Sequence, residues 1–452
     1  MKYRIETDAM GEIEIPKDRL WGPATQRSLT NFKIGQEKMP KDLIYALVTI
    51  KKAIAMTHKD NNKLADQKAN AIIASCDQIL SGEYDGHFPL SVWQTGSGTQ
   101  TNMNVNEVIA SIANKEGGSI HPNDDVNKSQ STNDVFPSAI HLAAYEKISR
   151  ELLPSLKKLI YQLKEFEEKN QTTIKVGRTH LQDATPISVG QEASAWRFGL
   201  EKNKENIENA LKQLANLAIG GTAVGTGLNS YLGYDTAVVK NLNELTGFNF
   251  RPSNNKFYSL SSKSELLLTH ASLEALATDL FKMVNDIRWL ASGPRAGLGE
   301  YVIKSNEPGS SIMPGKVNPT QAEAMTMVCA QVFGNHSSIS FAASQGNLQL
   351  NVFMPQIAYN LLQSIDLLSD AMASLSEHMI DGMAVNHDRI DENLRRSLMT
   401  VTALNPIIGY DQAAKLAKYA HEHKLSLFEA NEQLKLIDRE ELIEYLDPKK
   451  MI

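Results

Sequence analysis

The chain has 452 residues, 42% of them hydrophobic and 22% charged, which suits a soluble globular body of two or three domains, or one large helical body with appendages. A net charge of −6 gives no general attraction to nucleic acid or to an anionic membrane, so an anionic ligand would need a local positive field. The two cysteines, Cys76 and Cys329, exclude an all-cysteine iron–sulfur cluster by number and argue against a disulfide framework by spacing, and no HExxH or other zinc spacing occurs.

The N-terminal stretch, Met1 to Glu14, is polar, without the apolar segment of a signal peptide or the Arg/Ser-rich character of a transit peptide. No run of about 18 apolar residues follows, so no membrane span is expected and the expected location is the cytoplasm. Ile13 to Ile15 reads as a short strand, and Lys41 to Asn61 and Leu64 to Leu80 read as helices. A helix is expected over Met103 to Lys115. Asn133 to Asn170 reads as one long helix, with Pro137 in its first turn and a kink at Pro154. Thr185 to Leu217 reads as another, with Thr185 as N-cap and Pro186 at the first helical position. Between Ser261 and Ser292 no Gly or Pro interrupts the stripe Leu273, Leu276, Ala277, Leu280, Phe281, Val284, Ile287, which predicts a helix about 45 Å long. Asn318 to Ala342 begins with Asn318 and Pro319 as cap and first residue, and Val352 to Met379 is expected to bend at Pro355. Helices this long imply a mainly α bundle whose interior is shared between subunits. Three domains are expected: a mixed one over 1–132, a long-helix bundle over 133–387, and a small helical one over 388–452.

Four loops interrupt this pattern, each rich in Gly, Ser, Thr or Asn and each leading into a helix. They run from Gly96 to Asn102, from His121 to Asp134, from Gly177 to Pro186 and from Glu307 to Pro319. Helix N-termini present free N–H groups and a positive dipole end, and short hydroxyl and amide side chains add donors. For any one such loop a capping role suffices. Four together point to a carboxylate-binding site inside an acidic protein, with Lys316 supplying a full charge. In the fourth loop, Gly309 and Gly315 flank Ser310 and Ser311, so the loop can close as a lid, and a serine beside Lys316 loses its proton more readily. One of the pair is therefore a candidate base. His180 is a candidate acid or base, because it alone of 11 histidines lies in a Gly-Arg-Thr-His loop opening a helix.

The run Gly309-Ser310-Ser311-Ile312-Met313-Pro314-Gly315-Lys316-Val317-Asn318-Pro319 resembles the GSSxMPxKxNP signature of the fumarase/aspartase superfamily, and the other three loops are similar to its remaining motifs in the same order. His180 within GRTHLQDATP and His121 within HPNDDVN resemble the class II fumarase pattern, where aspartases carry glutamine and tend to carry asparagine. The resemblance implies a homotetramer around a core of twenty helices, five per subunit, with each active site built by three subunits and with no metal or cofactor. It implies reversible hydration of fumarate to L-malate through an aci-carboxylate, a tricarboxylic acid cycle step. By motif, Ser97, Gly98, Thr99, Ser131, Thr132, Asn133, Thr179, Lys316, Val317 and Asn318 would hold the dicarboxylate, with Ser311 a further contact. Ser310 would be the base, and His180, supported by Glu323, would act on the water or hydroxyl. His121, Pro122, Asn123 and Asp124 would form a secondary dicarboxylate site near the entrance.

The chain departs from that pattern at Thr132, where fumarases commonly have serine and aspartases threonine, and at Gln349 and Ile407. The stretch Ala113 to Ile120 is also shorter than usual. Aspartate ammonia-lyase is the alternative enzyme, and a non-catalytic relative of the lens-crystallin kind is the alternative outside catalysis.

Overall fold

The computed structural model describes residues 2–115, 117–310 and 312–452, with the backbone alone of Ser310; Ser311 lies outside the described residues. The chain is mainly α-helical. It opens with an antiparallel hairpin, β1 (Tyr3–Asp8) and β2 (Gly11–Pro16), paired from Tyr3 opposite Pro16 to Asp8 opposite Gly11. Only Ile13 to Ile15 of this hairpin was expected as strand. Its residues alternate between exposed and half-buried, and Ile15 alone is fully buried, so the apolar alternation is faint.

The helices α1 (Pro23–Asn31), α2 (Lys41–Asp60), α3 (Asp66–Leu80), α4 (Thr99–Lys115) and α5 (Thr132–Lys147) follow. A buried carboxylate closes the start of α1. Glu107 of α4 accepts hydrogen bonds from the backbone N–H groups of Gly22 (2.9 Å), Ala24 (2.8 Å) and Thr25 (3.2 Å) and from the Thr25 hydroxyl (2.6 Å). Pro23 has no N–H to offer, so one acidic side chain satisfies the orphan donors of that turn. The helix α2 buries Leu43, Ile44, Leu47, Val48, Ile50 and Ile54, and it packs against α3, α4, α5 and α8 (Tyr234–Thr246). Residues buried around so much of a helix place it at the centre of its unit.

The expected helix over Asn133 to Asn170 is present with its kink resolved as a π-turn. Between α5 and α6 (Leu153–Lys169), residues Ile148–Leu152 form one wide turn in which the Leu153 N–H donates to the Ile148 carbonyl. Pro154 follows at once. Its missing N–H and bulky ring would break a regular helix, and the wider turn accommodates both.

The expectation that Thr185 and Pro186 begin a helix is corrected. They lie in the hairpin of β3 (Ile174–Thr179) and β4 (Gln182–Ser188), where Pro186 faces Val176 and a bulge separates Val176 from Arg178. The helix α7 (Val189–Leu214) starts later, at a reciprocal cap. The Gln191 N–H donates to Ser188 Oγ and the Ser188 N–H to Gln191 Oε1, each at 3.0 Å.

The long helix expected over Ser261 to Ser292 is divided into α9 (Lys256–Ser261) and α10 (Ser264–Leu290). Buried Lys263 donates to the carbonyls of Ser259, Leu260 and Ser262 and so closes the end of α9. The helix α11 (Thr320–Ala343) begins at the Asn318-Pro319 signal. In α12 (Met354–Leu375), Pro355 occupies the first turn, where its missing N–H costs no bond, and so it makes no bend of the expected kind. Five short helices end the chain: α13 (His387–Arg396), α14 (Asn405–Ile408), α15 (Tyr410–His423), α16 (Leu427–Leu434) and α17 (Arg439–Tyr445). They have their own small core around Leu404, Leu416, Leu427 and Leu442. No helix among the described residues is long and apolar enough to cross a membrane.

Contacts gather the chain into two compact units, one of residues 1–153, 203–277 and 330–369, the other of 154–202, 278–329 and 370–452. The first holds the loops near residues 97 and 131, and the second holds those near 180 and 310. We expect Glu107→Gln to lower unfolding stability by about 2–4 kcal/mol in chemical denaturation, because an amide cannot accept four hydrogen bonds and turns an NH₂ toward their donors.

Candidate active site

In the first unit the sequence-predicted residues of two loops come together. Gly98 has φ +78°, and a Cβ there would lie 2.4 Å from the Phe136 ring, so only glycine allows the chain to turn into α4 at this point. On either side of it, the Ser97 and Thr99 hydroxyls share a hydrogen bond at 2.7 Å. One turn on, Asn102 Nδ2 donates to Thr132 Oγ1 (3.0 Å) and to Asn127 Oδ1 (3.2 Å), which links the first loop to the second. Ser131 caps α5: its Oγ accepts from the Asn133 N–H at 3.2 Å, and its own N–H donates to Asp134 Oδ1 at 3.0 Å. Asn133 Nδ2 donates to the Ala223 carbonyl at 2.8 Å. The loop therefore presents a capped helix N-terminus with hydroxyl and amide groups fixed around it.

The secondary-site residues form a separate turn. The His121 side chain caps the π-turn Pro122–Val126, with Nδ1 accepting from the Asp124 N–H at 3.1 Å. The same nitrogen lies 3.3 Å from Asp124 Oδ2. Pro122 is half-buried, and His121, Asn123 and Asp124 are exposed.

In the second unit, Thr179 pairs with Gln182, and His180 and Leu181 form the two-residue turn between β3 and β4. Their φ values are +56° and +59°, the geometry of a type I′ turn, which normally takes Asn or Gly. Histidine tolerates the left-handed region better than most residues, whereas leucine there costs roughly 1–2 kcal/mol. The imidazole thus stands exposed at the tip of a rigid hairpin beside Leu181, which is 64% exposed. The fourth loop closes on itself. Gly309 pairs with Pro314, has φ +86°, and would place a Cβ 2.5 Å from the Lys316 carbonyl. Lys316 and Val317 are exposed, Asn318 is half-buried, and exposed Glu323 lies in the first turn of α11. The Thr320 hydroxyl contacts both oxygens of Glu307 at 3.1 Å and so ties the loop to the helix start. Among the described residues, Lys316, Asn318 and Glu323 share no hydrogen bond or ion pair with Thr179 or His180.

Sequence reasoning missed the anchor of the His180 hairpin. Arg178 grips Glu300 through two hydrogen bonds, 2.6 and 3.1 Å, and Lys175 lies 3.1 Å from the same carboxylate. Asn393 Nδ2 adds a fourth donor at 2.9 Å. Lys175 also donates to Glu192, which accepts from the Tyr301 hydroxyl. Glu300 has no exposed surface. Burial pushes its carboxyl up, but the Arg178 guanidinium and the Lys175 ammonium outweigh that and hold it below the usual range. Arg178 stood in a quoted motif, but nothing local marks Glu300 as its partner. A depressed carboxyl contributes stability that is present above its unfolded pKa and is lost as pH falls through the folded one. We expect Glu300→Gln to lower stability by about 3–5 kcal/mol at pH 7, since it leaves the Arg178 guanidinium without a carboxylate and Lys175 with Glu192 alone, and the deficit to shrink as the wild type is acidified. Thermal melts at several pH values measure both effects.

Residues 11–334 match a family model described as a lyase, and residues 401–452 match one described as the fumarase C C-terminus. The class II fumarate hydratase of Bacillus subtilis (strain 168) is 53% identical over 458 residues, covering 100% of this chain and 99% of that protein. The class II fumarate hydratase of Campylobacter jejuni is 52% identical over 459 residues, with the same coverage. The crystal structure of a recombinant class II fumarase from Schistosoma mansoni superposes with a TM-score of 0.98 at 42% identity, covering 100% of this chain and 99% of that one. With its mainly α fold and all four motif loops in order, the chain belongs to the class II fumarate hydratase family of the fumarase/aspartase superfamily.

Proposed function

We propose that the chain is a fumarate hydratase that interconverts fumarate and L-malate in the cytoplasm. It works as a homotetramer in which loops of three subunits build each site. The three-domain order 1–132, 133–387 and 388–452 is part of the same reading, with the middle segment contributing its long helices to the shared core. The observation that carries the chemistry is His180, an exposed imidazole at the tip of a hairpin whose base is clamped by Arg178 and Glu300. Assembly is supported by the long helices: Met327 and Phe341 on α11 are 68% and 64% exposed, and Trp289 on α10 is 55% exposed. Surfaces of that kind are covered by another body.

The C3–H of L-malate is weakly acidic, and removing it puts a third negative charge on a dianion. Lys316, Asn318 and the helix N-termini stabilise the resulting aci-carboxylate, each preorganised donor typically contributing roughly 3–4 kcal/mol. Ser310 takes the C3 proton. His180, directly or through water and supported by Glu323, delivers a proton to the C2 hydroxyl, which leaves as water. Ser97, Gly98, Thr99, Ser131, Thr132, Asn133, Thr179, Ser311 and Val317 hold the carboxylates. The departure at Thr132 does not favour aspartate ammonia-lyase, because its hydroxyl serves Asn102 as a serine hydroxyl would.

The decisive measurement is the absorbance of fumarate during steady-state turnover by purified protein, repeated with ammonia to look for aspartate. We expect hydration without amination. Ser310→Ala and His180→Asn should each reduce turnover by at least about a hundredfold with the tetramer intact, and asparagine suits the left-handed turn at residue 180. Near-normal turnover in either variant removes the role assigned to that residue.

A further inference from the structure

Lys51 of α2 is 1% exposed, and its ammonium has no carboxylate partner among the described residues. Its two acceptors are neutral amide oxygens, Asn127 Oδ1 at 3.0 Å and Gln130 Oε1 at 2.7 Å. A buried cation without an ion pair is costly, and this one, unlike Lys263, adjoins a loop that the hydratase reading assigns to an anion. We propose that Lys51 is a positioning residue for the dicarboxylate, setting an unpaired positive charge behind the loop of residues 127–133 and fixing that loop's conformation. The proposal rests on the hydratase reading above.

The route from Lys51 to the loop is short. Asn127 Oδ1 accepts from Lys51, from Asn102 (3.2 Å) and from Asn106 (3.3 Å), and Asn102 reaches Thr132 Oγ1. Gln130 Nε2 is held by the carbonyls of Val126 (2.9 Å) and Lys128 (3.1 Å), which turns its oxygen toward Lys51. The ammonium therefore fixes both amides just before the Ser131 cap.

Of the elements packed against α2, α3 brings Cys76 and α5 Asp134 to act on the ammonium, α4 brings the neutral Asn102 and Asn106 to the same Asn127 oxygen, and α8 sets Tyr234 beside Asp134. Glu107 of α4 is committed to the start of α1. Asp134 is taken up by the N–H groups of Ser131 and Gly220. Burial pulls the Lys51 ammonium down to about 7, against the upward pull of Asp134 and Cys76. The charge is therefore shed near neutrality in the free protein, and a bound dianion would hold the proton on.

The test is steady-state hydration of fumarate from pH 6 to pH 9 by the wild type, Lys51→Met and Lys51→Arg, with the size-exclusion profile of each. In the wild type KM should rise at least about fivefold over that range as Lys51 loses its proton. In Lys51→Arg, whose charge does not titrate, KM should stay flat. In Lys51→Met, KM should be raised at least about tenfold at pH 7 and be independent of pH, with kcat changed much less. A wild-type KM in Lys51→Met at pH 7, or a rise in Lys51→Arg as steep as the wild type's, overturns the proposal. Should Lys51→Met fail to assemble, Lys51→Arg decides alone. A wild type that does not hydrate fumarate overturns the hydratase reading instead.

Discussion

Glu300 has no contact with solvent, yet Arg178, Lys175 and Asn393 all direct donors at it. Desolvated charges of this kind hold together only when every member is present. What they hold is the base of a hairpin whose tip is strained. His180 and Leu181 occupy a backbone region that neither would choose in a free peptide. The surrounding structure must over-determine such a turn, and the Arg178–Glu300 grip two residues earlier does so. Buried electrostatics thus fix the backbone turn that carries the His180 imidazole.

The chain carries a net charge of −6, so under the proposed function the positive groups offered to a dianion are local ones. In the first unit these are the capped N-terminus of α5 and the buried ammonium of Lys51, and in the second the exposed Lys316. Screening by salt weakens exposed charges much more than buried ones, so these contributions differ in how they respond to the medium. The amides of Asn102, Asn106 and Asn127 carry the influence of Lys51 toward the loop without adding charge.

The helices that were legible in the sequence are those with long apolar stripes: α2, the span of α5 and α6, α10, α11 and α12. Loop positions were legible too, because Gly, Ser and Asn clusters interrupt those stripes. The β3–β4 hairpin was not. Thr185-Pro186 imitates a helix start, while the working signal, Ser188-x-x-Gln191, lies three residues later. Nor does His-Leu announce a type I′ turn, which usually shows itself through Asn or Gly. His180 was found from its motif, but the strain that presents it was visible only in the backbone. Arg178 and Glu300 are 122 residues apart, and no local pattern connects them. Nothing in the sequence singles out Lys51 within Lys41 to Asn61, since burial of a single charge leaves no periodic trace.

The π-turn at Ile148–Leu152 has an effect beyond admitting Pro154. One residue added to an otherwise regular helix rotates everything downstream by about 100° around the axis. The apolar stripe of α5, through Val135, Phe136, Ala139 and Ile140, and that of α6, through Leu156, Leu159, Leu163 and Phe166, are therefore phased independently. Each stripe can then meet the apolar neighbours of its own unit. Restoring the ideal pitch, by deleting one residue from that turn, would leave every local contact of α5 in place while facing the α6 leucines the wrong way.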